Sequence, residues 1–275
     1  MALSVEQATS VLSGAGVLAI VAIAFLTLVD VSMRATISVT IRGLNEVLIL
    51  CLGVAIASCM PSGCVRAVHL QLDLLTARLP THLARAFGLM GTSLLLFFLF
   101  LVGYELLSLA MTYDARDQAT IILHWQLAPF FYAMAGLILL CVPVQAMHLV
   151  ESAALIVRNG KGVRAAFEFL PALLMSVIAV LVWADALNLL PGYDMLRGLQ
   201  AGIAALIFFG LMWAMMIVGV PLAAAMGLVG FIGTAVLLGV GPAGSVVGSE
   251  TAKFLTSETL AVLPLFLLMG SFASV

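Results

Sequence analysis

Between Arg197 and Glu250 the chain carries no charged side chain. Were Leu199 to Ser249 one straight helix it would run roughly 75 Å, more than twice a hydrocarbon core of about 30 Å. Such a run belongs in a lipid bilayer and must break at least once to stay there. Gly219-Val220-Pro221 is the expected break, because proline lacks an N–H, its ring clashes with the carbonyl one turn back, and the residue before it avoids helical geometry. Two crossings meeting there, or one crossing continued by an interfacial helix, both satisfy the pattern.

The rest of the chain follows the same logic. Its 275 residues are 64% hydrophobic and 9% charged, against about 25% charged in soluble domains. Disorder and a water-soluble enzyme core are excluded, and a net charge of −2 gives no footprint for nucleic acid. The fold class expected is all-α, a polytopic integral membrane protein with about six or seven transmembrane helices and one short amphipathic surface helix. With charges as punctuation, helices are expected at Val11–Met33, Leu44–Met60 (closed by Pro61-Ser62-Gly63), Ala86–Met111, Leu127–Val150 and Phe169–Leu190, the last stopped by Pro191-Gly192. Val11–Val29 lacks a basic n-region and a small-residue cleavage site, so it is expected to remain as a helix. Trp125, Phe130, Phe131 and Tyr132 sit where the fourth helix begins, a place amphipathic rings favour. The final apolar stretch, Leu260 to Val275, is short for a crossing and reads as the start of a longer protein.

Orientation follows the basic residues. Arg66, Arg78, Arg85, Arg158, Lys161 and Arg164 fall on one side, and Arg34, Arg42, Arg116 and Arg197 on the other. A cytoplasmic N-terminus is the expectation. On the same side as the first set, His69 to Pro80 places Leu72, Leu75 and Leu79 at helical spacing with Asp73 and Arg78, the pattern of an amphipathic helix lying on the membrane.

Ionisable groups inside a membrane are costly and mark pairing or function. Asp30 lies four residues before Arg34, which puts the two on one helix face as an ion pair. Glu46 opens the second helix, where a carboxylate suits the positive end of the dipole and is within range of Arg34 or Arg42. Glu105 and Asp185 lie deeper and are candidates for contacts between helices or with lipid. Cys51, Cys59, Cys64 and Cys141 have no metal-ligand spacing and read as small apolar residues. His69 and His148 near two inner helix ends could in principle face each other as haem ligands, although histidines at helix ends are more often interfacial. Ala223 to Gly233 carries small residues at spacings that let helices approach closely. No motif of phosphate binding, metalloprotease or serine-hydrolase chemistry is present, so no catalytic residue and no metal site are expected.

Taken together, Arg34, Asn45-Glu46, Arg66, His69 with Asp73, Leu79-Pro80 and Ile122-Leu123-His124-Trp125 resemble the small Q-type membrane subunit of tripartite ATP-independent periplasmic (TRAP) transporters. From about Leu199, Gly219-Val-Pro221 to Gly227 and then Leu263-Pro-Leu to Gly270 look like the opening of the large M-type subunit. The chain departs from the Q pattern in having Asn45 where an acidic pair is common, leaving the single carboxylate of Glu46.

The resemblance implies a fused arrangement: a four-helix Q-type scaffold over 1-165, a connecting helix over 166-195, and an incomplete M-type start over 196-275. It further implies a sodium-coupled importer of small organic acids in the bacterial inner membrane. The partners implied are a periplasmic substrate-binding protein, the remainder of the M transport domain, and membrane lipids. Sodium and substrate sites would lie in that remainder, so no cofactor is expected on these residues. Arg34, Glu46, His69 and Asp73 would fix the scaffold's helix ends. A membrane anchor for a periplasmic partner and a haem-binding redox subunit are the rival readings.

Overall fold

The computed structural model describes residues 2–66, 80–159 and 201–257, with residues 260, 266, 269 and 270. The amphipathic segment expected at His69–Pro80 falls almost wholly outside these residues, as do the helix expected at Phe169–Leu190 and with it Asp185. The regular secondary structure among the described residues is all helix, with no strand, as in an all-α polytopic membrane protein. The helices are α1 (Ala2–Ile37), α2 (Leu44–Val65), α3 (Thr81–Ala115), α4 (Ala128–Leu139), α5 (Cys141–Asn159), α6 (Ala201–Ile217), α7 (Leu222–Leu238) and α8 (Val240–Leu255). Among the described residues, four apolar spans are long enough to cross a bilayer: Glu6–Ile37, Leu44–Val65, His82–Ala115 and Ala128–Arg158. α6 and α7 are shorter, 17 residues each, about 25 Å at the α-helical rise.

Two prolines produce opposite outcomes. Pro61 does not end α2 as expected; the helix continues to Val65, and the Arg66 N–H closes it on the Ser62 carbonyl at 3.2 Å. Proline's φ fits a helix, and the cost is one hydrogen bond, here the one Ala57 O would have accepted. Pro61 and Ala57 are both fully buried against neighbouring segments, and that packing holds the helix together across the gap. Pro143 instead interrupts the fourth span. Its ring opposes the carbonyl of Leu139, and α4 ends at that residue. α5 resumes at Cys141, which leaves Pro143 in a first turn where its missing N–H costs nothing.

The chain gathers into two compact units. In the first (Met1–Arg66, Val102–Cys141, Gly248–Val275), α2 is the central helix, packed against α1 on one side and α4 on another. Ile23 of α1 meets Leu48 and Leu52 of α2, with Ile20, Leu44, Cys51 and Ile56 around them. α4 buries Ala128, Phe131, Met134, Ala135 and Ile138, one stripe of a 3.6-residue period. Lipid tails are as apolar as leucine, so helices here gain from close approach more than from leaving water. Glycines supply that approach. Gly16 lies against Ser58 and the Ala55 carbonyl, and Gly53 against Met134 Sδ and the Leu255 carbonyl.

In the second unit (Ala67–Leu101, Val142–Val247), α6 and α7 pack against each other across the break at residues 218–221. Gly219 takes a left-handed φ of +91°, and Pro221 caps α7. The expected break is therefore present, at the expected residues. A second interruption follows at Gly239 (φ +95°), so the long uncharged stretch is divided into three helices, the last being α8 with Glu250 and Lys253 paired. Of the small residues of α7, Gly227 seats the Phe98 ring and Gly233 faces Phe208, while Gly230 meets open space.

Candidate functional site

At one end of the first unit, two short connections are tied to helix ends by two carboxylates. Asp30 is 4% exposed, about two turns before the end of α1. It pairs with Arg34 one turn on, as the i, i+4 spacing predicts, and its Oδ1 accepts the backbone N–H of Ile41 at 3.2 Å. The second contact is absent from the sequence reading. It fastens the 38–43 connection back onto α1, where Ser38 stands at φ +54° and Gly43 at φ +77°.

Glu46 lies in the first turn of α2. Its partners are neither Arg34 nor Arg42 but the backbone of a loop far along the chain. Oε1 accepts the Ile122 N–H at 2.9 Å and Oε2 the Leu123 N–H at 3.0 Å. One carboxylate thereby holds two successive amides, a charge-assisted, bidentate arrangement. Beside it, a Cβ on Gly43 would fall 2.7 Å from Leu123 Cγ, so glycine is needed there both for its φ and for room.

The loop so held, between α3 and α4, is a miniature hairpin. Ala119 and Gln126 form an isolated antiparallel bridge, Thr120 N–H donates to Trp125 O at 2.8 Å, and Leu127 N–H donates to Gln118 O at 3.0 Å. The Trp125 N–H donates to Thr120 Oγ1 at 3.0 Å. Trp125 stacks on Phe130 in the first turn of α4, with ring centroids 6.2 Å apart and planes 8° from parallel. Tyr132 Oη donates to Asp114 Oδ2 at 3.4 Å, joining α4 to the end of α3.

The other candidates are dispersed. Glu105 lies on α3, partly buried, with the Glu105 carbonyl so near Gly248 of α8 that a Cβ there would come within 2.9 Å of it. His148 Nδ1 lies 3.8 Å from Glu151 Oε2 on α5, while His69 and Asp73 are outside the described residues. Cys64 and Cys141 are both buried free thiols. Among the described residues no three His, Cys, Asp or Glu side chains come together as metal ligands. Among the described residues, the arrangement at this end holds backbone in place.

The Glu46 clamp has a direct test. Replacing Glu46 by alanine removes both acceptors, and amide exchange at Ile122 and Leu123 is expected to quicken about tenfold. Glu46→Gln, which keeps one carbonyl oxygen, should recover part of the protection. Hydrogen-exchange mass spectrometry on the peptide spanning 116–127 reads the difference, and unchanged protection in Glu46→Ala would remove the clamp.

Neither the curated proteins nor the solved structures gave a match to this chain. Residues 23–155, from within α1 to the last turns of α5, match the family model described as tripartite ATP-independent periplasmic transporters, DctQ component. That stretch contains Asp30, Arg34, Glu46 and the hairpin that Glu46 secures, and over it the chain is similar to a membrane subunit of a TRAP transporter, a transporter component.

Proposed function

We propose that this chain is the scaffold portion of a sodium-coupled secondary importer of small organic acids, seated in the bacterial inner membrane with its N-terminus in the cytoplasm. The match over residues 23–155 carries the reading. DctQ components work with a periplasmic binding protein and a large membrane subunit. In this proposal 1-165 is the Q-type scaffold, 166-195 a connecting helix and 196-275 the beginning of an M-type subunit fused to it. The resemblance of Gly219 to Gly227 to an M-type opening supports the fusion, as does the excess of arginine and lysine in the two connections assigned to the cytoplasm.

The mechanism proposed is mechanical. A transport domain that moves against lipid alone would also tilt its own support, because a lone helix pair has a small footprint in the bilayer. Four helices with their ends tied resist that tilt. Asp30 with Arg34 and Ile41, and Glu46 with Ile122 and Leu123, tie two connections at one end, and His69 and Asp73 are assigned the same duty at the other. Sodium and substrate would bind in the remainder of the M portion.

The test is uptake by the full gene product reconstituted in liposomes with its binding protein. Organic-acid accumulation is expected under an inward sodium gradient and should fall at least tenfold, about 1.4 kcal/mol of driving force, when potassium replaces sodium. Uptake indifferent to sodium would overturn the coupling. A reading frame that carries no M-type sequence after residue 275 would overturn the fusion.

A further inference from the structure

We infer that the α3–α4 hairpin is an interfacial anchor whose tip, Ile121, Ile122 and Trp125, inserts among lipid headgroups and upper acyl chains. This rests on the chain spanning a membrane and not on the identity of any transported substrate.

The composition of the tip is the first observation. Turns are ordinarily built of Gly, Asn, Asp, Ser and Pro, yet this one presents Ile121 at 87%, Ile122 at 55% and Trp125 at 45% exposure. Three large apolar side chains held out together in water would be costly, and the surroundings of a membrane helix's end offer an alternative. The second observation is where the tip is held. Glu46 grips the Ile122 and Leu123 amides from the first turn of α2, and Leu123 covers Gly43 just before that turn. Both α2 and the span beginning at Ala128 are long enough to cross the bilayer. The tip is thus tethered at the level where the spans begin and cannot stand away from the bilayer.

The third observation concerns the backbone. A loop entering a region poor in water must satisfy its own polar groups. Between residues 120 and 125, the N–H groups of Thr120, Ile122, Leu123 and Trp125 all donate within the protein, to Trp125 O, to Glu46 twice and to Thr120 Oγ1. A loop bathed in water has no need of this. The charged residues Asp114, Arg116 and Asp117 are kept to the base of the hairpin, near the end of α3. Trp125, stacked on Phe130, is oriented by the first turn of α4, with its apolar body and single N–H donor suited to the headgroup layer.

The chain has three tryptophans, so Trp183→Phe with Trp213→Phe leaves Trp125 as the only reporter in the full chain. In phosphatidylcholine liposomes, lipid brominated near the glycerol end of its acyl chains is expected to remove about half of the Trp125 emission. Bromines near the terminal methyl should remove at most roughly half as much, since the tip is placed at the interface and not at the bilayer centre. Adding Ile121→Ser and Ile122→Ser should weaken the shallow quenching by about twofold. Emission insensitive to both brominated lipids and freely quenched by iodide would place the loop in water and overturn the inference. Shielding from bromine and iodide alike would mean that protein covers the tip, which overturns it as well. The parent measurement decides the matter if the serine variant does not fold.

Discussion

Replacing Arg34 by methionine is expected to destabilise the chain by about 3 kcal/mol, and replacing Asp30 by asparagine by only about 1 kcal/mol. The asymmetry follows from burial. The Asp30 side chain is enclosed, whereas that of Arg34 is more than half exposed. Removing arginine strands a carboxylate away from water with the Ile41 N–H as its remaining partner. Removing the carboxylate strands a guanidinium that water and headgroups solvate, and asparagine retains an oxygen for Ile41. Thermal melts of the two variants in the same detergent test the order. Equal losses, or a larger one for Asp30→Asn, would show that burial of the carboxylate does not set the order, and negligible losses in both would make the pair a surface contact of little consequence.

A comparable effect is expected from Gly16→Leu, a residue that looks unremarkable in an apolar helix. A Cβ at that position would press on Ser58 and stand 2.8 Å from the Ala55 carbonyl oxygen. Ser58 can turn aside, but the carbonyl belongs to the α2 backbone and cannot. Even alanine requires α1 to move outward, and leucine should separate the two helices locally, at a cost of about 1–3 kcal/mol. α1 has little else to hold it: Leu18, Phe25 and Val31 face outward, and its described packing is with α2. Cysteine crosslinking between Ser13→Cys and the native Cys59 gives the readout, because the Ser13 carbonyl and Cys59 Sγ lie 3.9 Å apart. The crosslink should form in the parent and fall several-fold with Gly16→Leu. Undiminished crosslinking would show that α1 accommodates the larger side chain in place.

Apolar run length and charge spacing made the helices legible in the sequence, along with the break at Gly219 to Pro221 and the pairing of Asp30 with Arg34, because each depends on residues close together in the chain. Helix ends were less legible. α1 and α3 extend several residues beyond the apolar runs at each end, since a helix can continue past the bilayer where its polar groups meet water. Pro61 and Pro143 show why a residue type alone is insufficient: the same ring is accommodated where packing encloses it and interrupts the helix where a new first turn can form. The partners of Glu46 had no signature at all. Backbone N–H groups are offered by every residue but proline, and nothing in Ile122 or Leu123 marks their amides as the ones left over by a hairpin. The tight bends at Ser38, Asp117 and His124, all at positive φ without glycine, were equally hidden.

The two carboxylate ties differ in when they can form during synthesis. Asp30 reaches partners four and eleven residues away, so its tie is available as soon as the first connection has emerged from the ribosome. Glu46 must wait for residues 76 and 77 positions later, which means that α2 itself and the third span have to be inserted first. Until then the Glu46 carboxylate has only solvent for a partner. The clamp therefore acts as a checkpoint of assembly order, closing only on a chain whose second and third spans have arrived in the correct topology.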